Sequence, residues 1–253
     1  MYKIREGKLI IFDLDGTLTP TKSPIELEMS ELFTKLLEKR KVAVVSGADF
    51  KQYKKQFIDH LDAESNFNNL FLFPTCSSCF YKYDNEWKKV YELAFSAEEK
   101  KRIYDAFEKT FHELNYKHPQ KTYGEVIEDR NSQITFSVFG QDAPRELKEK
   151  YDPTREKRKA IKEILDKYLT EFEVNVSGTT SIDVTKKGID KAYAIYQIET
   201  ALQVTKENMV FIGDAIVPGG NDYPVKRTGI DCIPVKDYKE CMELIREVLE
   251  KNI

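Results

Sequence analysis

Residues 10–20 read IIFDLDGTLTP, and the chemistry of the chain gathers there. Asp13 and Asp15 stand two positions apart behind a short apolar run, with no basic residue between them. Two carboxylates so placed repel each other, so one must take up a proton unless a cation lies between them. A hard divalent ion such as Mg2+ suits that role, because it takes oxygen ligands and is commonly held by a few carboxylates together with substrate phosphate. Gly16 and Thr17 follow with a tight turn, backbone N–H groups and a hydroxyl, all suited to a phosphate oxygen. If the apolar run is a strand, the pair sits where open α/β sheets place their ligands.

A second constellation lacks partners. Cys76 and Cys79 form a C-x-x-C, but Cys232 and Cys241 make no second pair and the histidines (His60, His112, His118) are scattered. A tetrahedral metal centre would be short of ligands.

The elements that must hold Asp13 and Asp15 alternate in period. Residues 9–12, 42–45 and 70–73 are continuous apolar runs, the pattern of strands buried on both faces. Between the first two, Ile25, Met29, Leu32, Phe33, Leu36 and Leu37 recur at helical spacing behind Ser23-Pro24, which reads as an N-cap with proline in the first turn. Asp49 caps a second helix carrying Phe50, Tyr53, Phe57 and Ile58. Strand, helix, strand, helix, strand implies a parallel sheet with right-handed crossovers.

After Pro74 the pattern changes. A hairpin over 79–83 and 87–91, a long helix opened by a Ser96/Glu99 capping box, strands over 123–127 and 133–139, a charged helix from about Thr154, and strands over 172–176 and 181–184 read as an antiparallel sheet with helices beside it. The charge runs at 145–150 and 155–159 mix both signs and read as a solvated helix face. From Gly188 the first pattern resumes, with a helix through Ala192, Ile195, Ile198 and Leu202, a strand over 209–212, and a last strand and helix. The chain thus reads as an α/β core, residues 1–80 and 187–253, interrupted by an α+β insert at 81–186.

Composition narrows the function classes. The 253 residues carry 40 Lys and Arg against 43 Asp and Glu, a net charge of −3, so bulk-charge binding of nucleic acid is disfavoured. The apolar runs are far shorter than a membrane span of about 20 residues, and the N-terminus lacks the small-residue cleavage site of a secretory signal. Four cysteines suit a reducing cytoplasm better than a disulfide scaffold.

DLDGTL resembles the signature of the haloacid dehalogenase-like phosphotransferases, and further stations of that superfamily follow in order: Ser46-Gly47 after the second strand, Lys191 opening a helix after Gly188, and Gly213-Asp214 before Gly219-Gly220-Asn221-Asp222. The resemblance implies a Rossmann-like parallel-sheet core with an inserted cap. It makes Asp13 the nucleophile that forms an aspartyl-phosphate, and Asp15 first the general acid and then the base. It implies a Mg2+ site of Asp13, Asp214 and the backbone carbonyl of Asp15. Ser46 and Lys191 hold the transferring phosphoryl oxygens, with Thr17 and Gly47 beside them. Asn221 and Asp222 orient Lys191 and the metal waters.

Within the superfamily the chain is most similar to the eukaryotic-type phosphomannomutases, through DGTLTP, VVSGADF, SIDV, GIDK and GDAIVPGGND. That similarity implies a type IIB cap with a four-stranded antiparallel sheet over the active site, and a homodimer paired through the cap. Ser181 and Asp183 match positions that touch sugar hydroxyls, and their alternation puts both on one face of a strand. Of three arginines that grip the distal phosphate in those enzymes, the segment TYGEVIEDRNSQITFSVFGQDAP keeps Arg130; the others fall on Tyr123 and Gln141. Lys22 stands where the family has another arginine, and Pro74-Thr75-Cys76-Ser77-Ser78-Cys79 replaces a Glu-Asn-Gly.

A hydrogen bond to a charged group contributes about 1.5–3 kcal/mol, so two lost anchors weaken distal phosphate binding by several powers of ten. The expected function is therefore a Mg2+-dependent phosphohydrolase of a small phosphorylated metabolite of the sugar-phosphate class, with no nucleic-acid or membrane partner. The alternative is a phosphomannomutase interconverting mannose 6-phosphate and mannose 1-phosphate.

Overall fold

The computed structural model describes residues 4, 7–21 and 23–251. Lys22 lies outside them. In chain order the elements are β1 (Leu9–Asp13), α1 (Leu27–Lys39), β2 (Val42–Val45), α2 (Phe50–Gln56), β3 (Leu70–Phe73), β4 (Cys79–Asp84) and β5 (Glu86–Glu92). The insert follows as α3 (Ala97–Glu113), β6 (Ile127–Asp129), β7 (Ile134–Ser137), α4 (Arg145–Tyr151), α5 (Glu156–Tyr168), β8 (Phe172–Ser177) and β9 (Ser181–Lys186). The chain then returns through α6 (Lys191–Leu202), β10 (Met209–Gly213), β11 (Asp231–Pro234) and α7 (Tyr238–Glu250).

The core is a seven-stranded sheet in the order β11-β10-β1-β2-β3-β4-β5. Pairing is parallel from β11 through β3 and antiparallel between β3 and β4. Strands β1, β2, β3 and β10 read as apolar runs because both of their faces are covered. Ile10, Phe12, Val42 and Val44 pack on one side with Phe33, Leu36, Tyr53 and Ile245. Leu9, Ile11, Ala43 and Val45 pack on the other with Ala194, Ile195 and Ile198 of α6.

The hairpin β4–β5 belongs to this core sheet, so the boundary expected at residue 81 is corrected to Glu92, and the insert runs as a compact unit from Glu92 to Ile189. Aromatic burial draws the hairpin in. Phe80 stacks on Phe73 with ring centres 4.6 Å apart, and Tyr81 stacks on Phe50 at 4.0 Å. Residues 81–91 are therefore core, although their alternating pattern resembles that of the insert.

The insert carries a four-stranded antiparallel sheet, β6-β7-β9-β8. Ile134, Phe136, Ile182 and Val184 on one of its faces pack with Ile103 and Phe107 of α3 and with Ile161 and Leu165 of α5. The capping box at Ser96 and Glu99 is formed as expected.

Three local expectations are corrected. Helix α1 starts at Leu27 behind Glu26, because the Ser23 hydroxyl donates to Thr21 O instead of capping. The strand expected at 123–127 begins only at Ile127: Gly124 turns with φ +78, and Tyr123 N–H donates to Phe139 O. The charged helix expected from about Thr154 is formed as α5, and α4 is a further short helix before it, separated from α5 where Asp152 takes the backbone N–H groups of Lys157 and Arg158. The charge runs are not a uniformly solvated face, since Lys148 and Arg158 are buried. Arg158 Nε donates to Asp152 at 3.0 Å, and its Nη1 donates to Ser177 O and Gly178 O at 2.9 and 2.8 Å.

Candidate active site

Register alone assembles the site at one end of the core sheet. Phe12 pairs with Ile212 and Asp13 with Val45. Asp13, at the end of β1, is therefore level with Gly213 on one side and one residue short of Ser46 on the other. Asp214 follows Gly213 past the end of β10. These are the carboxyl ends of parallel strands, where such sheets place their ligands.

Two glycines keep the carboxylates close. Gly16 has φ +89, and a Cβ there would lie 2.5 Å from Asp214 Oδ2. A Cβ on Gly213 would collide with the Asp222 carboxylate. The D-x-D-G motif thus needs glycine for room and for backbone shape, and the G-D motif needs it for room.

Lys191 is the first residue of α6, which Asp190 caps by accepting from Ala192 N and Tyr193 N. Its ammonium lies 2.6 Å from Asp13 Oδ1 and is also bonded to Asp222. Asp222 in turn accepts from Ala215 N at 2.9 Å. All three charged side chains, Asp13, Lys191 and Asp222, are buried.

Carboxylate oxygens of Asp13, Asp214 and Asp222 lie within 4.8 Å of one another. Three ionised carboxylates against one ammonium leave two negative charges close together. Burial raises the Asp13 carboxyl well above the ordinary range; Lys191 opposes the rise, while Asp222 and Asp214 add to it. Asp214 is exposed, yet desolvation by the surrounding protein and the charge of Asp222 raise it to about 6. For Lys191 burial works against the charged form, but Asp13 and Asp222 outweigh it and hold the ammonium protonated. The donor set is all oxygen and its excess charge equals that of one divalent cation, so the residues fit Mg2+.

The other expected residues fall as follows. Asp15 is half-buried just past β1, and its carboxylate accepts from Gln56 Nε2 at 3.4 Å. It is the Asp222 carboxylate, rather than that of Asp15, that joins Asp13 and Asp214 in the cluster. Thr17 is buried, and its Oγ1 has no hydrogen-bond partner among the described residues, as a group kept for a ligand oxygen would be. Ser46 is buried and its Oγ accepts from Ala48 N, which fixes the loop through the half-buried Gly47. Asn221 is half-buried beside Asp222.

Ser181 and Asp183 point to one face of β9 and are both buried. Arg130 forms an ion pair with Glu128, its Nε 2.7 Å from Glu128 Oε2. The C-x-x-C turn serves the backbone: Thr75 N–H donates to Ala48 O and Cys76 N–H to Ser46 O, latching the Ser46 loop. Thr75, Cys76 and Ser77 all have left-handed φ (50, 53 and 75).

Sequence reasoning missed Gln56 and Asp190. Gln56 had no signal, being one polar residue on an amphipathic helix. Asp190 had one: an aspartate directly before the first helical residue in GIDK is an N-cap pattern.

The sequence profile described as "Eukaryotic phosphomannomutase" matches residues 29–250. Similar relatives include the phosphomannomutase of Encephalitozoon cuniculi, 27% identical over 235 residues, covering 87% of this chain and 84% of that protein. The Saccharomyces cerevisiae phosphomannomutase is 28% identical over 233 residues, covering 88% and 87%. Human phosphomannomutase 1 is 26% identical over 226 residues, covering 87% and 84%. Among solved structures, an IMP-bound, N-terminally truncated Plasmodium falciparum IMP-nucleotidase is similar with a TM-score of 0.67 at 18% identity, covering 95% of this chain and 68% of that one. Aspergillus fumigatus trehalose-6-phosphate phosphatase is similar with a TM-score of 0.54 at 16% identity, covering 97% and 93%. These structures share the haloacid dehalogenase-like fold of core and cap. The matched profile runs from within α1 to the end of α7 and takes in Ser46, Lys191, Asp214 and Asp222, and by it the chain belongs to the eukaryotic phosphomannomutase family.

Proposed function

We propose that the chain is a Mg2+-dependent phosphohydrolase of small phosphorylated metabolites of the sugar-phosphate class, acting through an aspartyl-phosphate on Asp13. The observation that carries this reading is the buried Asp13 carboxylate, 2.6 Å from Lys191 within a cluster of three carboxylates. Mg2+ held by Asp13 and Asp214 would supply charge neutralisation at the substrate phosphate.

Asp13 attacks phosphorus and the bond to the leaving oxygen breaks, with Asp15 giving that oxygen a proton. Lys191, Ser46 and Thr17 take the phosphoryl oxygens, where charge is spread over the equatorial positions. Asp15, now ionised, takes a proton from water as the water attacks phosphorus. Inorganic phosphate leaves and Asp13 is restored. Gln56 holds the Asp15 carboxylate in place through both half-reactions.

Water rather than a sugar hydroxyl is the acceptor in this reading because the insert is poor in cations for a second phosphate. Tyr123 and Gln141 stand at two anchor positions, and Glu128 neutralises Arg130. A cytoplasmic setting goes with it: all four cysteines are free, and Cys76, Cys79 and Cys241 are buried.

Family membership favours a second reading, a phosphomannomutase, in which a sugar hydroxyl takes the phosphoryl group from Asp13. One assay separates the two. Purified protein with Mg2+ is given hexose 1- and 6-phosphates, with and without a hexose bisphosphate primer, and both phosphate release and isomer exchange are followed. Release without exchange supports the hydrolase; primer-dependent exchange with negligible release overturns it.

A further inference from the structure

The start of α6 is tied twice to the short helix Tyr223–Thr228, with the charges crossed. Asp190 and Lys191 are chain neighbours of opposite charge. Asp222, directly before the short helix, bonds Lys191, and Arg227, near its end, pairs with Asp190. Each cation thus meets an anion of the other segment. All four residues belong to the compact unit that carries Asp13. Asp190, Lys191 and Asp222 are buried, whereas Arg227 is 65% exposed.

Both carboxylates are divided between two tasks. Asp190 Oδ1 accepts from Ala192 N at 2.9 Å and from Tyr193 N at 3.2 Å, while its Oδ2 is taken by Arg227. With one oxygen on each segment, the plane of this carboxylate fixes how α6 begins relative to the short helix. Asp222 likewise takes Lys191 on Oδ1 and accepts from Ala215 N on Oδ2 at 2.9 Å. The two ties and the backbone between their ends make a closed ring. From that ring the Lys191 ammonium reaches Asp13 Oδ1 at 2.6 Å.

We infer that Arg227 is a positioning residue for Lys191, acting through Asp190. When Asp13 attacks phosphorus, its carboxylate gives up an oxygen to the new bond and loses its negative charge. The ion pair that held Lys191 to Asp13 then weakens, at the moment when the ammonium is needed on the phosphoryl oxygens. What keeps the ammonium in place at that stage is Asp222 and the start of α6, and Arg227 closes the ring that joins them. This rests on the aspartyl-phosphate step, which the hydrolase and mutase readings share.

The test is a double-mutant cycle on the full chain with Mg2+. It is read on p-nitrophenyl phosphate turnover and, by calorimetry, on the affinity for orthovanadate, a mimic of phosphorus in transfer. Arg227→Met removes the charge and keeps the stem; Asp190→Asn keeps a capping oxygen and removes the carboxylate. An ion pair this exposed on one side contributes little to stability, so both chains stay folded and report geometry.

Arg227→Met is expected to lower kcat by about fivefold with KM within about twofold, and to weaken orthovanadate by a similar factor. Arg227→Lys should recover most of both, because a single Nη2 contact is replaced by another cation. In the Asp190→Asn background, Arg227→Met should change either quantity by less than about 1.5-fold, since the residue it acts through is gone. Arg246→Met removes an arginine paired with Glu28 and Glu243 instead, and should leave kcat unchanged.

Native kcat and orthovanadate affinity in Arg227→Met overturn the inference, and so does an equal loss with Asp190→Asn present or in Arg246→Met. If the native chain releases no phosphate from any monoester, the hydrolase reading falls, and the orthovanadate cycle still judges Arg227. A native chain that neither turns over nor binds orthovanadate removes the shared step and the inference with it.

Discussion

Lys191 Nζ lies 2.6 Å from Asp13 Oδ1 and is bonded to Asp222 as well, so one buried ammonium holds the carboxylate at the end of β1 and the carboxylate of Asp222 together. The lysine arrives from the start of α6, after the whole insert, whereas Asp13 ends the first strand. The bond therefore closes the core across the interruption. With all three carboxylates ionised the cluster is two charges short of neutrality, which is costly to the fold without a cation.

Removing the nucleophile should separate chemistry from stability. Asp13→Asn is expected to abolish phosphate release by more than about 10³-fold. The same change relieves repulsion within the three-carboxylate cluster, so without metal the variant should melt a few degrees higher than the native chain. Phosphate release and calorimetric melting in EDTA check both parts. An active Asp13→Asn chain would remove the nucleophile assignment.

Lys191→Met should act in the opposite direction on stability. It leaves Asp13 and Asp222 buried without their cation, and breaking a buried pair from one side costs about 3–5 kcal/mol. Adding Asp222→Asn should return part of that loss, because a buried charge goes with it. Urea unfolding of the single and double variants measures the difference; a Lys191→Met chain as stable as the native one would contradict the ion-pair account.

The core was legible because its signals are local. Strand ends next to D-x-D-G, S-G and G-D motifs, with Gly188 shortly before the helix that Lys191 opens, point to the candidate site without any long-range knowledge. Residues 81–91 read as insert from the sequence because their alternation says only that one face is buried. Which partner buries it depends on Phe50, which is distant in sequence from the Tyr81 ring it stacks on, and on the turn that brings Phe80 back onto Phe73. The buried Arg158 was illegible for a similar reason: a charge run gives no sign that the carbonyls of Ser177 and Gly178 wait for one of its members.

Asp214 sets a pH window. Enclosure by the protein and the neighbouring Asp222 raise its carboxyl to about 6, above its ordinary value near 4. A carboxyl that is more basic folded than unfolded stabilises the fold fully below about pH 4, and that contribution is lost as the pH rises through about 6. Without metal the site should therefore become a growing burden across this window. Mg2+ needs the deprotonated carboxylates, so the rise in Tm on adding Mg2+ should be small at pH 5 and clearly larger at pH 7.5. Asp214→Asn should flatten the difference. A Mg2+ shift of the same size at both pH values would rule out Asp214 as the titrating group.

Arg158 offers the corresponding test for the insert. Its guanidinium holds Asp152, which takes the first N–H groups of α5, and donates to the carbonyls of Ser177 and Gly178 in the turn between β8 and β9. Arg158→Met keeps the apolar stem but strands one buried carboxylate and two carbonyls. The expected loss is about 3–5 kcal/mol, confined to the unit from Glu92 to Ile189. Hydrogen exchange should then speed up in β8, β9 and α5, while β1, β2 and β10 keep their protection. Faster exchange in the core strands at the same rate as in the insert would mean that the two units do not unfold separately, and that the cost of losing Arg158 is shared by the whole chain.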